Sequence, residues 1–143
     1  MIHPARPPFN YHFRVGYADA DQMGFLHHSR YWVYMESART ELLRSTGESY
    51  AQWEARGILL PLTDSGLTFR KPAYYDDMVR IETRIVELSR LRIRFAYRLF
   101  CDARSQLLAE GFTAHAFMTP EGRPQRVAPE VLERLGGEVK LVV

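Results

Sequence analysis

Apolar residues recur along this chain with two different periods, and the change from one to the other outlines the fold. Between residues 9 and 17, Tyr11, Phe13 and Val15 alternate with His12 and Arg14, which predicts a strand with one apolar face. From Tyr31 the period lengthens: Tyr31, Tyr34, Met35, Ala38 and Leu42 fall on one stripe of a 3.6-residue repeat. Trp32, Val33 and Leu43 widen that stripe beyond what a surface helix needs, so this helix is expected to sit at the centre of the core. Ser29 as N-cap and Gly47 in the left-handed conformation would bound it at residues 29–46.

The alternation then returns. A short amphipathic turn of helix is expected over 48–56, anchored by Tyr50 and Trp53, followed by a strand over 58–70 bent near Pro61 and Gly66. The cluster from Lys71 to Asp77 reads as a turn. Beyond it Val79, Ile81, Thr83 and Ile85 alternate with Arg80, Glu82 and Arg84. After a reversal near Ser89, Leu91, Ile93, Phe95, Tyr97 and Leu99 alternate with Arg92, Arg94 and Arg98. A turn at 102–105, a last strand over 106–118 and a closing helix over 129–135 complete the chain. Strand, long helix, then four strands joined mainly by hairpins predicts an α+β fold, a five-stranded antiparallel sheet covered by one long helix.

Composition narrows the classes. At 143 residues the chain reads as a single domain, 1–143, with a flexible proline-rich arm at 1–8. Its hydrophobic fraction of 46% and charged fraction of 25% suit a soluble globular protein. A net charge of +2 is too small to argue for nucleic acid. Arg greatly outnumbers Lys, which favours bidentate binding of phosphates or carboxylates. The one cysteine, Cys101, lies in an apolar strand and reads as core; with no membrane span and no leader, the expected location is the cytoplasm.

The chemistry gathers ahead of the long helix, where Asp19, Asp21, Gly24, His27 and His28 fall within ten residues. A helix start presents unpaired N–H groups and partial positive charge, so a carboxylate or a developing oxyanion is stabilised there. An ionised Asp21 beside such donors could perform acyl transfer: the donors polarise a carbonyl, and the carboxylate attacks it or activates water. On spacing alone, helix capping is the better explanation of both acids. Asp19, Asp21, His27 and His28 could in principle ligate a metal, but adjacent histidines rarely face one ion, and no metal is expected. Neither a Gly-x-Ser-x-Gly elbow nor a Walker-type loop is present.

The run Val15-Gly-Tyr-Ala-Asp19-Ala-Asp21-Gln-Met-Gly24-Phe-Leu-His27-His28-Ser-Arg-Tyr31 resembles the signature of hotdog-fold acyl-CoA thioesterases of the 4-hydroxybenzoyl-CoA thioesterase type, in their Tol-Pal-associated branch. So do Glu36-Ser-Ala-Arg39-Thr-Glu41 and Arg70-Lys-Pro72-Ala-Tyr-Tyr-Asp-Asp77. The resemblance implies a sheet wrapped around a central helix, a homodimer or homotetramer with sheets joined edge to edge, and sites at the dimer interface. It implies hydrolysis of acyl-CoA without a cofactor, coenzyme A being part of the substrate. Asp21 is then the catalytic carboxylate, and the backbone N–H of His28 holds the thioester carbonyl. Asp19, Gly24, His27, Tyr31 and Arg90 are implied in substrate binding, Arg90 through the phosphates, with Arg92 nearby. The Tyr-His pair of that branch is His27-His28 here, a departure at the first of the two positions. Two other functions compatible with the sequence are a hotdog dehydratase acting on 3-hydroxyacyl thioesters and a non-catalytic binder of acyl-CoA or acyl-carrier protein.

Overall fold

The computed structural model describes residues 7–136. Residues 1–6 of the expected arm lie outside the described residues, and Pro7 and Pro8 lead directly into the first strand. The elements run β1 (Phe9–Arg14), α1 (Arg30–Ser45), α2 (Tyr50–Ala55), β2 (Leu62–Phe69), β3 (Met78–Leu88), β4 (Arg92–Cys101), β5 (Gln106–Ala116) and α3 (Pro129–Gly136). The strands form one antiparallel sheet in the order β1-β3-β4-β5-β2, which leaves β1 and β2 at its edges.

The sheet divides its residues as the alternation requires. Val79, Ile81, Thr83 and Ile85 of β3 and Ile93, Phe95, Tyr97 and Leu99 of β4 are buried. On the opposite face Glu82 gathers three guanidinium groups, from Arg98 at 2.8 Å, Arg84 at 3.5 Å and Arg80 at 3.9 Å. Glu82 is largely covered but Arg84 and Arg98 are about half exposed, so these pairs are screened by water and the apolar face dominates stability; each large side chain buried there contributes about 1.5 to 3 kcal/mol.

α1 presses Tyr31, Met35, Ala38, Leu42 and Leu43 into the core. Its bounds fall within one residue of those expected, and Gly47 ends it with φ +109°. Ser29 does not cap it through its side chain, because its hydroxyl is hydrogen-bonded to Nδ1 of His27 at 2.8 Å. The helical part is also not one helix alone. Alongside α1, with 16 residues, α3 has 8 and adds Val131, Leu132 and Leu135 to the core. The short α2 carries a reciprocal capping box between Ser49 and Gln52 and buries Trp53 completely.

Two strand expectations are corrected. β2 begins at Leu62; in the preceding segment Leu59 bridges Met118 just past β5, and the Leu60 carbonyl accepts from His115 of β5. Gly66 is not a bend but a point of close packing: a Cβ there would lie 2.6 Å from the ring of Phe112 on the neighbouring strand. β1 stops at Arg14 because the chain turns through one 3₁₀ turn, Tyr17–Asp19, into the loop that carries Asp21. Cys101 is buried at 1% exposure, as a core residue.

Candidate active site

The loop between the first 3₁₀ turn and α1 is built around Asp21. Its backbone N–H donates to the carbonyl of Phe25 at 2.7 Å, its carbonyl accepts from Gly24 at 3.0 Å, and Ala20 and Leu26 close the loop as a bridge. Gly24 makes the reversal possible by adopting φ +79°, a region that costs a side chain-bearing residue free energy. The carboxylate then locks the loop from within: Oδ1 accepts the N–H groups of Met23 at 2.8 Å and Phe25 at 3.1 Å. Oδ2 has no hydrogen-bond partner among the described residues. One oxygen is structural and the other is free for chemistry.

A second segment clamps this loop. Leu26 N–H donates to Ala73 at 2.8 Å, Tyr75 N–H donates to Gly24 at 2.9 Å, and Phe25 bridges Tyr74. That segment is in turn held by Asp77, which accepts from Tyr74 N–H at 2.7 Å and from both terminal nitrogens of Arg104 at 2.7 and 2.9 Å. Partial burial pushes the Asp77 carboxyl up, but Arg104 and the Tyr74 N–H outweigh it and hold its pKa below the usual range.

At the start of α1, Arg30 N–H donates to the His27 carbonyl at 2.9 Å and Ser29 N–H donates to His27 Nδ1 at 3.2 Å. The backbone N–H of His28, between them, donates to no acceptor among the described residues. It therefore carries the unpaired donor character of a helix start without a protein partner.

Asp21 and His28 share a cleft of about 320 Å³. Its apolar surface comes from Phe25, Leu26, Tyr31 and Phe69, and Arg70 and Lys71 add cations. Tyr31 is buried and meets Phe69 edge-on, with ring centroids 5.0 Å apart. Burial pushes its phenol pKa up against a backbone hydrogen bond from Ala73. The cleft thus combines a carboxylate oxygen, a free N–H at a helix start and an aromatic wall, the components acyl transfer requires.

Of the residues singled out from sequence, Asp21, His28 and Tyr31 line this cleft. Gly24 shapes the loop beneath it. Asp19 is absent from the lining: its Oδ1 lies 2.8 Å from Nε of Arg30, and its Oδ2 accepts the hydroxyl of Tyr34. Burial and that bond to Asp19 push the Tyr34 pKa up to about 12. His27 is engaged with Ser29, its ring centroid 4.2 Å from that of His28, and is also absent from the lining. Arg90 lies in the β3–β4 turn, where its Nε donates to the Val127 carbonyl at 2.9 Å and Val127 N–H returns the bond to Arg90. The lining also includes Phe69, Arg70 and Lys71; from sequence, Arg70 and Lys71 lie in a stretch that carries the family resemblance, but none of the three is given a role in the site. Their signal was the Arg70-Lys71-Pro72 tripeptide, two adjacent cations held by a proline. Among the described residues no three His, Cys, Asp or Glu side chains gather as a metal site, and no helix is long and apolar enough to cross a membrane.

Residues 15–135 match the model of the thioesterase-like superfamily. A hypothetical protein of Thermus thermophilus is 40% identical and superposes with a TM-score of 0.83 over 88% of this chain and 95% of that one. The DHNA-CoA thioesterase of Staphylococcus aureus is 29% identical with a TM-score of 0.80, over 89% of this chain and 82% of its own. The acyl-CoA thioester hydrolase YbgC of Escherichia coli is 29% identical over 122 residues, 85% of this chain and 90% of the relative.

Proposed function

Since the chain belongs to the thioesterase-like superfamily and has its hotdog-type fold, we propose that it is an acyl-CoA thioesterase: acyl-CoA and water yield a carboxylic acid and free coenzyme A. The observation that carries this is the pairing in one cleft of Asp21, with one carboxylate oxygen unbonded, and His28, with its backbone N–H unbonded. The thioester carbonyl oxygen accepts the N–H of His28, and the partial charge of the helix start favours the oxyanion that develops. Asp21 removes a proton from water as the water oxygen bonds to the carbonyl carbon, or attacks that carbon itself to form an anhydride that water then opens. In the first route the C–S bond breaks and Asp21 returns its proton to the departing thiolate; in the second the C–S bond breaks as the anhydride forms, the thiolate takes a proton from solvent, and opening of the anhydride by water releases one in turn. Tyr31, Phe25 and Phe69 hold the acyl group against the apolar wall, and no cofactor takes part.

The same reading extends to the assembly. The chain is a single domain with α1 as its central rod, in a cytoplasmic homodimer or homotetramer that joins sheets at their edges. Support comes from β2, an edge strand with Leu62 and Phe69 about half exposed, the latter lining the cleft.

Asp21→Asn keeps the shape and the acceptor for Met23 and Phe25 while removing the charge. It is expected to lower kcat at least a hundredfold, a loss typical of removing one electrostatic participant. Thiol release from a panel of aliphatic and aromatic acyl-CoAs, with alkene formation scored in parallel, measures it. Wild-type turnover by a folded Asp21→Asn protein refutes the mechanism.

A further inference from the structure

We propose that Lys71, assisted by Arg70, recognises the phosphate groups on the carrier arm of the substrate, a role that rests on the thioesterase reading above. Both residues line the cleft that contains Asp21. The reacting thioester is neutral, so cations beside it have no counterpart in the acyl group of an ordinary fatty or aromatic thioester. The anionic part of such a substrate is its phosphorylated carrier.

Ion pairing separates Lys71 from the neighbouring cations. Arg30 is paired with Asp19, Arg104 with Asp77 and Arg14 with Asp76. The ammonium of Lys71 has no carboxylate within 4.0 Å among the described residues. Arg70 pairs with Glu110 at 3.1 Å, but both side chains are more than one-third exposed, so exchanging that partner for a phosphate costs little. The backbone is fixed where they emerge: the N–H groups of Arg70 and Lys71 both donate to the Leu108 carbonyl, at 2.8 and 3.1 Å, and Pro72 follows. Lys71 balances the negative charge of Asp21, and Arg70 adds a further positive charge to the cleft once a phosphate takes the place of Glu110. That offsets the repulsion a polyanion would meet from Asp21, and it acts over a screening length of about 8 Å even without direct contact. Arg90, the cation expected for this duty, is held by Val127 outside the cleft.

The test compares one acyl group on three carriers: coenzyme A, phosphopantetheine and N-acetylcysteamine, which has no phosphate. Lys71→Gln is expected to raise KM for acyl-CoA about tenfold with kcat unchanged, in line with loss of one charge-assisted contact. Lys71→Arg should restore it. The N-acetylcysteamine thioester should be hydrolysed equally by both proteins. Raising ionic strength from about 0.05 to 0.5 M should lower kcat/KM for acyl-CoA more in wild type than in Lys71→Gln. A Lys71 effect that persists on acyl-phosphopantetheine assigns the contact to the phosphate on the pantetheine arm, shared with a carrier protein; an effect seen only on coenzyme A assigns it to the nucleotide phosphates. Either supports the proposal. Equal losses on all three carriers, or none on acyl-CoA, overturn it. A wild-type protein that cleaves none of the three refutes the thioesterase reading instead.

Discussion

His115 supplies a quantitative prediction about stability. It lies on the inner face of β5 at 1% exposure, with Nδ1–H donating to the Leu60 carbonyl at 3.1 Å and Nε2 buried without a partner among the described residues. Its ring meets Phe95 edge-on at 5.6 Å. Burial, and then the Arg39 guanidinium, push its pKa down from 6.5 to about 4, against a smaller opposite effect of the Leu60 bond. The unfolded chain therefore takes up a proton near pH 6.5 and the folded chain only near pH 4, so stability is complete above pH 6.5 and declines as pH falls between those values. The full gap is worth about 3 kcal/mol, at ~1.4 kcal/mol per pH unit, of which about 2 to 3 kcal/mol is lost by pH 4.5. Urea unfolding followed by circular dichroism at pH 7.5 and 4.5 measures it. Asp77, Glu82 and Asp102 have lowered pKa values, so their stabilisation is lost only as pH falls through the carboxylate range, and equally in a variant. His115→Gln can still donate to Leu60 but does not titrate, and should remove most of the pH 7.5 to 4.5 difference. The same difference in His115→Gln, or a flat profile in wild type, refutes the assignment.

Two further substitutions separate backbone from side-chain roles. His28→Ala retains the N–H at the start of α1, so kcat should stay within about tenfold of wild type; a loss beyond a hundredfold would make the imidazole itself an acid or base. Gly111→Ala places a Cβ 2.7 Å from the Gly66 carbonyl oxygen and 2.9 Å from a methyl of Leu67. A backbone atom cannot rotate away, so the β2–β5 pairing should lose about 1 to 3 kcal/mol, read as a lowered Tm; an unchanged Tm would show that the edge strand yields freely.

What the sequence made legible follows from where each element sits. β3 and β4 are central, with one face in the core and one in water, so Val79 to Ile85 and Leu91 to Leu99 alternate clearly and their hairpin was placed from pattern alone. β2 is an edge strand in which five of eight residues are exposed, and its Thr, Ser and Gly carry little periodic signal. Its start was therefore misplaced by four residues, 58 against Leu62. α1 was bounded closely because its stripe, Gly47 and the polar run before it agree. The partners of Asp19 and Arg90 were not readable, since Arg30, Tyr34 and Val127 come to them only through tertiary geometry. Phe69 and Lys71 stand more than forty residues from Asp21 in sequence. Only pairing of the 21–26 loop with the 73–75 segment brings the two together.

That pairing also explains why a carboxylate on a loop can be held as firmly as one on a helix. The two N–H bonds to Oδ1 fix the rotation of the Asp21 side chain, Gly24 fixes the reversal, and the 73–75 segment fixes the loop as a body. His27 N–H donates to the Asp19 carbonyl at 2.8 Å, and the His27 carbonyl accepts from Arg30 N–H at 2.9 Å, so the same loop is tied to the start of α1. The free oxygen and the free N–H are thus referenced to one rigid frame rather than to two mobile ones. In the proposed reaction both groups act on the same carbonyl, one on its carbon and one on its oxygen, and an error of about 1 Å in their separation can cost a hundredfold in rate. The hydrogen bonds that occupy half of Asp21 therefore do not compete with its chemistry; they set the position from which the other half acts.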